Sequence, residues 1–104
     1  MQIKSITTAL ESWAPLSFQE SYDNAGLIIG DPQMECTGIL CSLDCTEAVL
    51  EEAIEKGCNL IVSHHPIVFK GIKQFIPNHY VTRVAIKALK NKIALYAIHS
   101  NLDN

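Results

Sequence analysis

Cys58-Asn59-Leu60-Ile61-Val62-Ser63-His64-His65-Pro66 holds the reading that decides the fold. Leu60, Ile61 and Val62 form a short unbroken apolar run, the character expected of a strand buried on both faces in a parallel sheet. Just upstream, Val49, Leu50, Ala53 and Ile54 make one apolar stripe at helical spacing. Acids crowd its first turns, Asp44 or Thr46 can cap its start, and Gly57 stands where a left-handed C-terminal cap belongs. Gly38-Ile39-Leu40-Cys41-Ser42-Leu43 precedes that helix as another apolar strand. Downstream, residues 66 to 79 read as a loop. Val81, Val84, Ala85, Ala88 and Leu89 then predict a helix with Arg83, Lys87 and Lys90 on its outer face and Asn91 at its stop. Ile93-Ala94-Leu95-Tyr96-Ala97-Ile98 is the last strand. Further out, Ile3, Ile6, Leu10 and Trp13 predict an amphipathic helix over residues 2 to 13, and Leu27-Ile28-Ile29-Gly30 a short strand closed by Asp31-Pro32. From residue 38 the order strand, helix, strand, helix, strand predicts the α/β class. The expected architecture is a mostly parallel sheet with helices on its faces, a three-layer α/β/α-like domain spanning 1–104.

The 104 residues, 48% apolar with a net charge of -3, suffice for one core and exclude a multi-domain enzyme. No apolar run approaches the ~20 residues of a bilayer span. No basic segment followed by an apolar stretch opens the chain, so the cytoplasm is the expected compartment and no membrane partner is expected. Ten of the eleven acids lie in residues 1–55 beside Lys4, and seven of the eight bases lie in residues 56–104 beside Asp103. That asymmetry suits either an electropositive face for an anionic ligand, such as a nucleotide or another phosphate-bearing small molecule, or acidic and basic elements that neutralise each other; the second reading is preferred. An acidic domain without a basic, aromatic-interleaved stripe argues against nucleic acid. Cys36, Cys41, Cys45 and Cys58 form no Cys-x-x-Cys pair, so free and mostly buried thiols are expected. Cys41 and Cys45 flank a strand end and are read as apolar filling rather than as ligands.

In a parallel sheet, ligands bind beyond the carboxyl ends of the strands. Asp44 follows one strand, His64 and His65 a second, and His99 with Asp103 a third, so all should open onto one edge. Two imidazoles and a carboxylate from neighbouring strand ends suit a divalent transition metal, Zn, Fe, Mn or Ni. Adjacent histidines on an extended backbone point apart, which fits two metals, or one metal and a supporting partner, better than chelation of one ion. The alternative is that His-His-Pro only caps the sheet edge, its rings bonded to backbone carbonyls. His99 reads as a ligand, a proton shuttle or an orienting neighbour. His79, at a helix start, reads as a surface residue.

Four segments are together specific: Tyr22-Asp23-Asn24-Ala25-Gly26-Leu27, Leu43-Asp44-Cys45-Thr46, Ser63-His64-His65-Pro66-Ile67-Val68-Phe69-Lys70-Gly71 and His99-Ser100-Asn101-Leu102-Asp103. In this order they resemble the N-terminal motifs of the Nif-three-like dinuclear-metal-centre family, often labelled GTP cyclohydrolase 1 type 2 homologues. The resemblance implies an α/β protein, a hexameric ring and two divalent metals per subunit. It also implies that His64 and His65 each ligate a different metal, that Asp103 ligates one of them, that His99 lies beside the site and that Asp44 lines the pocket. Such proteins are usually more than twice this length and add a C-terminal His-x-x-x-Glu motif, so the chain is expected to be the N-terminal part of a larger fold. The leading functional expectation is a metal-dependent hydrolase, GTP cyclohydrolase-like or phosphoesterase-like, with His99 moving protons. A second is a non-catalytic metal-binding or protein-interaction module, and a third is a domain fragment without activity of its own.

Overall fold

The computed structural model describes residues 1–13, 26–65 and 74–98. Within them lie helices α1 (Ile3–Trp13), α2 (Glu47–Lys56) and α3 (Tyr80–Lys90) and strands β1 (Gly26–Ile29), β2 (Ile39–Ser42), β3 (Leu60–Ser63) and β4 (Ala94–Ala97). The sheet order is β1-β4-β3-β2. β2, β3 and β4 run parallel, with Ser42 opposite Ser63 and Ser63 opposite Ala97 at their carboxyl ends. The α/β class and the mostly parallel sheet expected from residue 38 onward are therefore present. β1 is the exception: it pairs antiparallel with β4, with a register irregularity between Leu27 and Ile29.

Alternation along the central strands builds the layers. Ile61 and Leu95 face one way and join Leu50, Ala53, Val84 and Ala88 beneath α2 and α3. Leu60, Val62, Ala94 and Tyr96 face the other way and pack with Ile3, Ile6 and Leu10 of α1. β3 and β4 are buried along their whole length, which is why their sequences are apolar at successive positions. At the end of β1 the backbone of Gly30 has φ +119, and a Cβ there would sit 2.6 Å from Ala94 Cβ and 2.8 Å from Ala94 Cα. Only glycine allows both that dihedral and that approach.

The helix ends follow local chemistry. The Thr46 hydroxyl accepts from the Val49 amide at 3.2 Å and caps α2, so Thr46, and not Asp44, fills that role. Gly57, at φ 73, closes the helix in the left-handed conformation. The first amides of α1 donate to loop carbonyls, Ile3 to Met34 at 2.8 Å and Lys4 to Pro32 at 2.6 Å. Between α2 and α3, Arg83 pairs with Glu47 at 2.9 Å and Lys87 with Glu51. The acidic and basic helices are neighbours that neutralise each other, as the preferred reading of the charge asymmetry has it.

Three residues assigned to apolar stripes stand outside the core: Trp13 is 67% exposed, Leu89 61% and Ile54 39%. Periodicity reports the side a residue faces, not whether four-residue strands extend far enough to cover it. At the sheet edge, Ile39 and Cys41 of β2 are exposed while Leu40 packs beneath the α2–α3 layer. None of the helices is long and apolar enough to cross a membrane among the described residues.

Candidate functional site

The ladder between β2 and β3 continues past both strands. The His64 amide donates to Ser42 O at 3.2 Å and the His65 amide to Leu43 O at 2.9 Å, while the Ile98 amide beyond β4 donates to Ser63 O at 3.1 Å. Ser42 and Ser63, partners in register, repeat one device: the Ser42 hydroxyl donates to Asp44 O at 2.8 Å and the Ser63 hydroxyl to His65 O at 3.0 Å. Each hydroxyl folds the chain leaving its strand into a turn. Asp44 and His65 are each two residues beyond their serine, and equal offsets from registered partners bring them side by side. Asp44 Oδ1 lies 2.6 Å from His65 Nδ1. The two side chains are 58% and 44% exposed, so the pair is open to solvent.

His64 and His65 differ from the expected divergent pair. The backbone bends at both residues, and the ring centroids are 5.1 Å apart with planes tilted by 52°. An extended strand would separate consecutive side chains to opposite faces; here the turn closed by Ser63 brings both imidazoles together. The rings can therefore serve two neighbouring ligands on one side of the sheet edge. The sequence placed Asp44 at the common strand-end edge and offered it as a helix cap, and the resemblance put it in the lining of the pocket. Its pairing with His65 and the serine clamps were missed, although the shared Ser-x-Asp and Ser-x-His spacing after two parallel strands carries the signal.

His99 and Asp103 lie outside the described residues. Among the described residues no group of three or more His, Cys, Asp or Glu side chains could hold a metal. Cys45 is buried in the α2–α3 core, and burial pushes its thiol up to about 11, which disfavours a ligating thiolate. Cys41 is exposed on the edge strand and His79 is exposed at the start of α3, as expected for the latter. A groove of about 570 Å³ lined by Gly30, Asp31, Met34, Leu89, Lys92 and other residues lies at the amino end of β4. It faces the opposite end of the sheet from the histidines, and its charged lining residues are Asp31 and Lys92 with no imidazole or thiol beside them, so the chemistry is assigned to the strand-end cluster.

The profile of the Duf34/NIF3 (NGG1p interacting factor 3) family matches residues 1–104. A Staphylococcus aureus protein named GTP cyclohydrolase 1 type 2 homolog is 48% identical over 103 residues, which are 99% of this chain and 28% of that protein. A Clostridium acetobutylicum protein of the same name is 39% identical over 104 residues, 100% of this chain and 39% of its own length. A crystal structure of a Staphylococcus aureus protein superposes with a TM-score of 0.93 at 47% identity, covering 99% of this chain and 29% of that one. The chain thus spans between a quarter and two fifths of the length of these relatives. With the family profile matched from end to end and the fold shared, this chain belongs to the DUF34/NIF3 family.

Proposed function

We propose that the chain contributes the N-terminal half-site of a divalent-metal-dependent, hydrolase-like protein, with a dinuclear centre formed in part by His64, His65 and Asp103. The observation that carries this reading is a pair of contacts at the carboxyl end of two parallel strands, the His64 ring beside that of His65 and His65 on Asp44. Imidazole and carboxylate donors fit Zn, Fe, Mn or Ni. Two rings whose centroids are 5.1 Å apart suit metals about 3.5–4 Å apart, each taking one histidine. Asp103 follows β4, the strand parallel to β3, and Ile98 is already hydrogen-bonded to Ser63 at that edge.

Bound metals would supply an activated water and a positive centre for an anionic substrate group. His64 and His65 would hold them, Asp44 would orient His65, and His99 would carry protons beside the site. The relatives' name supports a GTP cyclohydrolase-like reaction on a nucleotide; a phosphoesterase-like reaction on another phosphate-bearing small molecule would use the same metal chemistry. A cytoplasmic homohexamer is part of the same proposal. The second reading, a non-catalytic metal-binding or interaction module, draws on the interacting factor in the family's description.

Elemental analysis of the purified chain tests the metal reading against His64→Ala and His65→Ala, purified identically and checked for fold by circular dichroism. Each variant should bind metal at least about tenfold more weakly. Metal bound in equal amount by all three proteins sinks the proposal. Metal bound without turnover of nucleotide or phosphoester substrates moves the assignment to the non-catalytic module.

A further inference from the structure

We propose that Asp44 is the positioning residue of His65: it accepts the Nδ1 proton, fixes the imidazole tautomer, and makes Nε2 the atom that His65 presents to a divalent cation. The inference rests on the metal reading above and deepens it by assigning the ligating nitrogen and the group that selects it.

The argument starts from the 2.6 Å separation of Asp44 Oδ1 and His65 Nδ1. A carboxylate only accepts hydrogen bonds, so at this distance Nδ1 carries the proton; in the neutral ring Nε2 then carries the lone pair. The geometry is built rather than incidental. Ser42 and Ser63 sit in register, their hydroxyls pin the carbonyls of Asp44 and His65, and the His65 amide is held by Leu43 O at 2.9 Å. Asp44 is also relieved of the competing task that its position suggests, because Thr46 caps α2. Carboxylate partners of this kind set the orientation of metal-bound histidines and strengthen them as ligands.

The test uses Zn2+ alone as the probe, on the full chain and on Asp44→Ala and Asp44→Asn. Two quantities are read: Zn2+ affinity by chelator competition, and the His65 tautomer in the metal-free protein from imidazole 15N shifts at mildly alkaline pH. In the unmodified chain His65 should be the Nδ1–H tautomer. Asp44→Ala should lose that preference and bind Zn2+ about 10- to 100-fold more weakly. Asp44→Asn, which keeps a carbonyl acceptor, should retain the tautomer and recover part of the affinity. Unchanged affinity in Asp44→Ala overturns the positioning role while leaving the metal reading standing. Asn as damaging as Ala with the tautomer intact makes Asp44 a ligand or charge partner, and also overturns it. A wild-type chain that binds no Zn2+ overturns the presentation of Nε2 to a cation by this half-site, and the tautomer readout then decides by itself whether Asp44 sets the position of the His65 proton.

Discussion

Cys45 shows how a single buried group makes this fold sensitive to alkali. Burial raises its thiol from 9.0 to about 11, so the folded state holds the proton more tightly than the unfolded chain. The folded value lies above the unfolded one; the associated stability is therefore complete below about pH 9 and is lost as pH climbs toward 11. Melting temperature should fall across that window, and Cys45→Ala should remove the part of the fall that starts near pH 9. A second part should remain, because burial, with Glu11 beside it, pushes the Tyr96 phenol upward from 10.0 in the same sense. A pH–Tm profile identical in the two proteins would refute the assignment. At this scale the sequence disclosed residue types better than pairings. His64 and His65 were legible as strand-end groups, yet the bend that unites their rings depends on the Ser63 hydroxyl, whose bond to His65 O no periodicity encodes. Gly30 likewise reads as the last residue of a short strand, whereas its close approach to Ala94 arises only when β1 docks on β4.

Elements are where the competition between Asp44 and Thr46 is settled. Either can cap a helix by composition; β3 resolves the tie by placing His65 beside Asp44, while Thr46 serves Val49. Thr46→Ala should then cost about 1 kcal/mol in chemical denaturation, and Asp44→Ala much less, because only the first removes an N-cap. Equal losses in the two variants would return the capping role to Asp44. Apolar stripes were readable for α2 and α3 because each needs one covered face. The cross-helix pairs Arg83–Glu47 and Lys87–Glu51 were foreshadowed only as a charge asymmetry, since helix adjacency is a tertiary fact. Their side chains are partly exposed, so each contributes on the order of 0–1 kcal/mol.

For the molecule as a whole, right-handed crossovers made the parallel β2-β3-β4 unit legible. No comparable rule assigns the partner of β1, which follows a segment without periodicity and runs against β4. His99 and Asp103 complete the expected donor set only in sequence. The antiparallel placement of β1 leaves a seam between two kinds of chain history. On one side, β2, α2, β3, α3 and β4 are contiguous in sequence and closed by short-range crossovers; on the other, β1 comes first in the chain yet pairs with the last strand, a contact that spans all of them. Long-range closures are slow to form, and an edge strand that is only partly buried, as β1 is, opens more easily than a buried central one. Native-state hydrogen exchange should therefore show Leu27 exchanging by a lower-energy opening than Ile61 and Val62, and uniform protection across the sheet would contradict that order. Asp44 and His65 belong to the contiguous side. Their contact should outlast the departure of β1, so that the edge bearing the chemistry keeps its shape while the opposite edge opens.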